Sequence, residues 1–162
     1  MDRQMMIERV ASIMEYEHPK TIQAACLYWA ATLIDELSVN GIRGILQAGT
    51  LMWPRIRPEQ DDGVSPTHFS YVWEANSSTT RTRIAQGLMP EMHVWVGIPE
   101  TQEIVDLTTR YLKGQCQQLI GHEWIGDDPP HHLWCKCEEL PPGVIYRPDR
   151  LATMIAWRLL FK

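Results

Sequence analysis

Met92-His93-Val94-Trp95-Val96-Gly97-Ile98, a break at Pro99-Glu100-Thr101, and then Glu103-Ile104-Val105-Asp106-Leu107-Thr108 is the stretch from which the rest of the chain is read. Two short runs rich in Val and Ile flank a turn, which is the pattern of a tight β-hairpin. Alternation along the first strand puts His93 and Trp95 on one face and Val94 and Val96 on the other. On the returning strand Ile104 and Asp106 share a face, with Val105 and Leu107 on the other. A turn near Pro99-Glu100 sets position 93 opposite position 106, with Cβ atoms roughly 4.5–5.5 Å apart. A carboxylate so placed holds an imidazole in one tautomer. An isolated His and Asp facing each other in an otherwise apolar hairpin need a reason to be there.

Upstream, a helix of clear period supplies a third group. Thr21 is a good N-cap residue after His18-Pro19-Lys20, and Asn40-Gly41 is a stop, so a helix is expected from about Thr21 to Leu37. Ile22, Cys26, Trp29, Leu33 and Leu37 fall on one face of it. Cys26 then lies in the first turn or two, where the partial positive charge of the helix start favours a thiolate. A cysteine nucleophile needs a thiolate, a base and a group that orients the base. Cys26, His93 and Asp106 supply these three. Cys26 alone reads as a small buried hydrophobe and His93 alone as a core histidine; the facing pair is what argues for chemistry.

Here the residues reach a resemblance. His93-Val94-Trp95-Val96 followed by Val105-Asp106-Leu107-Thr108 resembles the His and Asp hairpin of the bacterial transglutaminase-like, papain-like cysteine proteinase superfamily, and Gln23-Ala24-Ala25-Cys26-x-x-Trp29 is similar to its nucleophile helix. The resemblance covers residues 20–110. It implies an α+β fold, papain-like or transglutaminase-like, with the nucleophile helix packed on an antiparallel sheet; the chain length, 162 residues, is that of one domain, 1–162. It implies cysteine-dependent acyl transfer, chiefly hydrolysis of a peptide, protein or small amide substrate, with no cofactor. Cys26 would be the nucleophile, His93 the base and Asp106 its orienter. Gln23 would share the oxyanion with the Cys26 backbone N–H, although papain-like enzymes place their Gln further ahead of the Cys. Trp95, from its place on the hairpin, reads as core or as a wall of the cleft next to the imidazole. Some members of the superfamily have lost catalysis, so a ligand- or protein-binding module on the same fold is the rival reading, with Trp53, Trp73, Trp95, Trp124 and Trp134 as groove residues.

The flanks are read more coarsely. Residues 4–16 carry Met6, Val10, Ile13 and Met14 at helical spacing. Ile42 to Trp53 and His68 to Glu74 read as strands, with His68 a candidate for the same cleft as His93. The polar residues 75–91 read as a long functional loop, with the basic run Thr79-Thr80-Arg81-Thr82-Arg83 in it. Residues 109–150 are rich in turn formers. Asp149 caps a last helix over Arg150 to Leu160, with Leu151, Ile155 and Leu159 on one side. His131, His132, Cys135 and Cys137, with Cys116 and His122 upstream, are zinc-type ligands, but Cys-x-Cys lacks the knuckle spacing and no second pair follows.

Composition closes off other classes. The 162 residues carry a formal net charge of −5 with no basic run, against a nucleic-acid partner. There is no stretch of about 18 apolar residues and no apolar signal-like segment at the start. Four cysteines do not make a disulfide scaffold, so a reducing, cytoplasmic compartment is expected. Oligomeric state is left open by the sequence.

Overall fold

The computed structural model describes residues 2–21 and 25–161. Helix α1 runs Arg3–Glu17 and is capped by Asp2, whose side chain accepts from the Gln4 N–H. Helix α2 runs Cys26–Val39. It begins at the cysteine itself, with Ala25 as N-cap, later than the punctuation at Pro19 suggests; the Thr21 N–H closes a turn onto the His18 carbonyl. The stop is where the sequence puts it, with Asn40 as C-cap and Gly41 at φ +71°, a left-handed angle that favours glycine.

Strands β1 (Ile45–Pro54), β2 (His68–Tyr71), β3 (His93–Ile98), β4 (Glu103–Asp106), β5 (Leu133–Lys136) and β6 (Ile145–Pro148) form one antiparallel sheet among the described residues, paired in the order β2-β1-β3-β4-β5 with β6 also on β1. The class is therefore α+β. Strand β1 is the organiser. Gly49 lies opposite both His93 and Pro148, and Leu51 opposite both Tyr71 and Tyr146. The ends of β2, β3 and β6 thus converge on three residues of β1. The convergence is tight enough to require glycine: a Cβ at position 49 would stand 2.1 Å from the Arg147 carbonyl oxygen.

Each face of the sheet carries its own core. Val94, Val96, Val105 and Leu107 pack with Leu46 and Ala48 under α1, α2 and the C-terminal helix Arg150–Leu160, where Val10, Met14, Trp29 and Leu33 are nearly or fully inaccessible. Trp95, Ile104, Leu51, Trp53 and Phe69 fill the other face with α4 (Leu112–Ile120). Hairpin alternation is as the sequence reads it, with His93, Trp95, Ile104 and Asp106 on this second face.

Three segments depart from expectation. Residues 75–91 are not one loop but contain helix α3, Ser78–Ala85, because the Ser77 hydroxyl caps it by accepting from the Thr80 N–H. The turn-rich region contains α4, β5 and β6. Helix α5, Arg150–Leu160, has the predicted bounds and the predicted Asp149 cap, but Leu151 is exposed; the buried stripe is Ala152, Ile155 and Ala156, one position along, where small residues let the helix lie close on β1.

Candidate active site

His93 is the first residue of β3, so its ring stands where the sheet stops, and α2 starts at the same end. There the Cys26 thiol lies beside the His93 ring, and both line one cleft. His93 Nε2 is bonded to Asp106 Oδ2 at 2.7 Å. Asp106 is almost fully enclosed, and its oxygens are well supplied. Oδ1 accepts from the Thr108 N–H (2.8 Å) and the Thr108 hydroxyl (2.7 Å). Oδ2 accepts from the Tyr146 hydroxyl at 2.8 Å as well as from His93.

The register differs from expectation. Val96 pairs with Val105 and Ile98 with Glu103, so the turn spans Pro99 to Gln102 and Asp106 stands across from Trp95, not from His93. Thr101 and Gln102, the latter at φ +57°, are the two extra turn residues. His93 and Asp106 are diagonal neighbours on the same face, a separation their side chains span.

Electrostatics follow from this geometry. Burial alone would lower the His93 pKa; the charge and hydrogen bond of Asp106, joined by Cys26, overturn that and raise it to about 10. Burial likewise opposes ionisation of Asp106, but the His93 charge and the His93 and Thr108 hydrogen bonds hold its pKa below the usual carboxylate range. Tyr146 is pushed well above 10 by burial and by the neighbouring carboxylate. Both shifts favour the charged forms of the pair, imidazolium and carboxylate, over the neutral ones.

Aromatic rings fix the imidazole. Tyr71 stacks on it at 5.6 Å and 19°, and Trp95 at 6.3 Å and 19°. The Trp95 indole N–H donates to Gln47 Oε1 at 2.9 Å. Trp95 is thus a buried support for the imidazole and not a cleft wall. The Tyr71 hydroxyl donates to Gln115 Oε1 at 2.7 Å, tying β2 to α4.

Cys26 and His93 open on a cleft of about 490 Å³ between α3 and α4, with Glu74, Thr80, Arg83 and Gln118 among its walls. The basic run lies on α3, and its arginines also serve the fold: Arg83 Nε donates to the Met89 carbonyl and Arg81 to that of Asn76. Comparison with family models, with curated proteins and with solved structures finds no match.

Other sequence candidates lie elsewhere. Gln23 falls outside the described residues. His68 faces away from the triad, bonded to the Thr67 hydroxyl and the Gly143 carbonyl. Trp53, Trp95 and Trp124 are buried, and none of the five tryptophans of the rival groove lines this cleft among the described residues. Among those residues no three His, Cys, Asp or Glu side chains gather as metal ligands; Cys116 donates to the His122 carbonyl and Cys137 to that of Gln102. No helix among them is long and apolar enough to cross a membrane.

Four contributors escape a sequence reading: Thr108, Tyr71, Gln115 and Tyr146. Thr108 had a signal, since a Thr two residues after an Asp readily closes a side-chain turn onto it. The other three arrive by long-range topology.

Proposed function

We propose that the chain is a cysteine-dependent acyl-transfer enzyme of the papain-like, transglutaminase-like kind, acting chiefly on amide bonds of a peptide, protein or small amide. The observation that carries this reading is the convergence of three groups: His93 bonded to Asp106 at 2.7 Å, and the partly exposed Cys26 thiol beside the imidazole in the lining of one cleft. The chain order, with the cysteine first on a helix and the histidine and aspartate following on antiparallel strands, supports the same reading.

In this mechanism Cys26 attacks the substrate carbonyl as a thiolate while His93 holds the proton as imidazolium. The tetrahedral oxyanion is met by the Cys26 backbone N–H at the start of α2, where Ala25 offers no capping side chain. His93 delivers its proton to the leaving amine, and the acyl group remains on the Cys26 sulfur. Water, deprotonated by His93, then releases the acid; an amine in its place completes a transfer. Asp106 keeps the ring oriented and its charge balanced throughout.

Iodoacetamide alkylation, followed cysteine by cysteine at neutral pH, tests the proposal. Cys26 should react fastest of the four and lose that lead in His93→Ala. An inert Cys26 in the folded wild type would sink it.

A further inference from the structure

A second cavity, of about 550 Å³, opens at the opposite end of β2 from Tyr71, and among the described residues it shares none of its lining with the cleft. Its base is Trp53, 4% exposed, with Ile56 and Val144 beside it, and its walls are three proline-bearing loops. Those walls are tied together. Arg55, 2% exposed, donates to the Pro66 carbonyl at 2.9 Å and to the Glu123 carbonyl at 2.6 Å. The Arg55 carbonyl in turn accepts from the Ile125 and Gly126 N–H groups. On the third side the His68 ring is bonded to the Gly143 carbonyl at 3.3 Å. A concave, apolar space with braced walls is the usual form of a small-molecule site.

Charge indicates what fits. Asp61, Asp127 and Asp128 stand on the rim. Arg57 engages Asp127 at 2.8 Å and Lys113 engages Asp128 at 3.0 Å, which leaves the rim one carboxylate in excess. An anionic ligand would meet repulsion there; a cation completes the balance. The base of the cavity also touches the triad's support. Trp53 meets the Tyr146 ring edge-on at 6.4 Å and 84°, and the Tyr146 hydroxyl holds Asp106.

We infer that this cavity binds a small organic amine whose apolar ring packs over Trp53 and whose cationic head meets the aspartate rim, and that its occupancy is felt at Asp106 through Trp53 and Tyr146. The inference stands apart from the catalytic reading, since binding and its transmission are both seen without turnover. The test titrates the full chain with 1-naphthylmethylamine and, separately, with 1-naphthylacetate, and follows assigned NMR resonances. The amine should shift the Trp53 indole N–H and the Val144 methyls saturably, several-fold more tightly than the carboxylate, and more weakly as salt is raised. The same titration should move the Tyr146 ring and the His93 imidazole. Thr67→Trp and Pro142→Trp, at exposed wall positions, should fill the space and abolish the shifts while leaving the α1 resonances in place. No saturable shift at Trp53 with millimolar amine, equal affinity for the carboxylate, or shifts that survive both variants would overturn the site. Binding that leaves Tyr146 and His93 unmoved would overturn the coupling.

Discussion

His93 Nε2 and Asp106 Oδ2 lie 2.7 Å apart although their strands pair them diagonally, with Asp106 across from Trp95. The diagonal puts Trp95 between two uses: its ring stacks on the imidazole while its backbone faces the aspartate. Asp106→Asn keeps the shape and removes the charge. Burial then acts on His93 without its main opponent, so its pKa falls from about 10 toward and below the ordinary 6.5. The imidazole becomes neutral at pH 7, and the Cys26 alkylation rate should fall by about 10²-fold or more. NMR titration of the His93 ring, alongside alkylation, checks both. An unchanged His93 titration would show that Asp106 does not set its charge.

The same pair makes stability depend on pH from both sides. His93 has a folded pKa above its unfolded value, so its contribution is fully present below pH 6.5 and is lost as the pH rises to about 10. Asp106 has a folded pKa below its unfolded one, so its contribution is present above about pH 4 and is lost as the pH falls further. These are two views of one ion pair and do not add. Urea midpoints should therefore decline from pH 6.5 to 10 in the wild type. In Asp106→Asn the decline should be much smaller. An equal alkaline decline in both proteins would assign it to other groups.

What the sequence makes legible here is local. The hairpin faces, the Asn40-Gly41 stop and the Asp149 cap follow from period and capping chemistry, which act within a few residues. The hairpin register differs by two because Thr101 and Gln102, the latter a non-glycine at positive φ, both join the turn, and no turn residue announces it. Helix α3 was hidden because its Ser and Thr content argues for a loop until Ser77 is seen as a cap. Tyr71, Gln115 and Tyr146 come from β2, α4 and β6, and only the pairing of β1 brings two of these strands to His93. A single sequence carries no local mark of such meetings.

Tyr146 illustrates the point and can be tested by itself. Its hydroxyl is one of two donors to Asp106 Oδ2. Tyr146→Phe keeps the ring contacts with Trp53 and Trp95 and deletes that donor. A hydrogen bond to a buried carboxylate is worth about 1.5–3 kcal/mol, so stability should drop by that order. A variant that only loosened packing would stop there. Loss of a donor to the charged form also raises the Asp106 pKa, so the acid-side fall in Cys26 alkylation should move to higher pH. A stability loss with an unmoved acid limb would make Tyr146 a packing residue and no more.

Gly49 is the position at which the architecture is most exposed to a single methyl group. An added Cβ meets the Arg147 carbonyl oxygen at 2.1 Å and the Asp149 N–H nitrogen at 3.0 Å, both backbone, so no side-chain motion relieves the clash. Gly97 makes a useful contrast: its Cβ would meet the Gln47 side-chain oxygen at 2.8 Å, and that side chain can swing away at the cost of its bond to the Trp95 indole. Gly97→Ala should therefore cost about 1 kcal/mol. Gly49→Ala must part β1 from β6 and should cost about 4 kcal/mol or more. Because Gly49 pairs with both His93 and Pro148, the same substitution should carry Tyr146 away from Asp106 and slow Cys26 alkylation. Urea denaturation of the two variants, with alkylation of each, decides the matter; a Gly49→Ala protein as stable as Gly97→Ala would mean that β6 does not lie against β1 at this point.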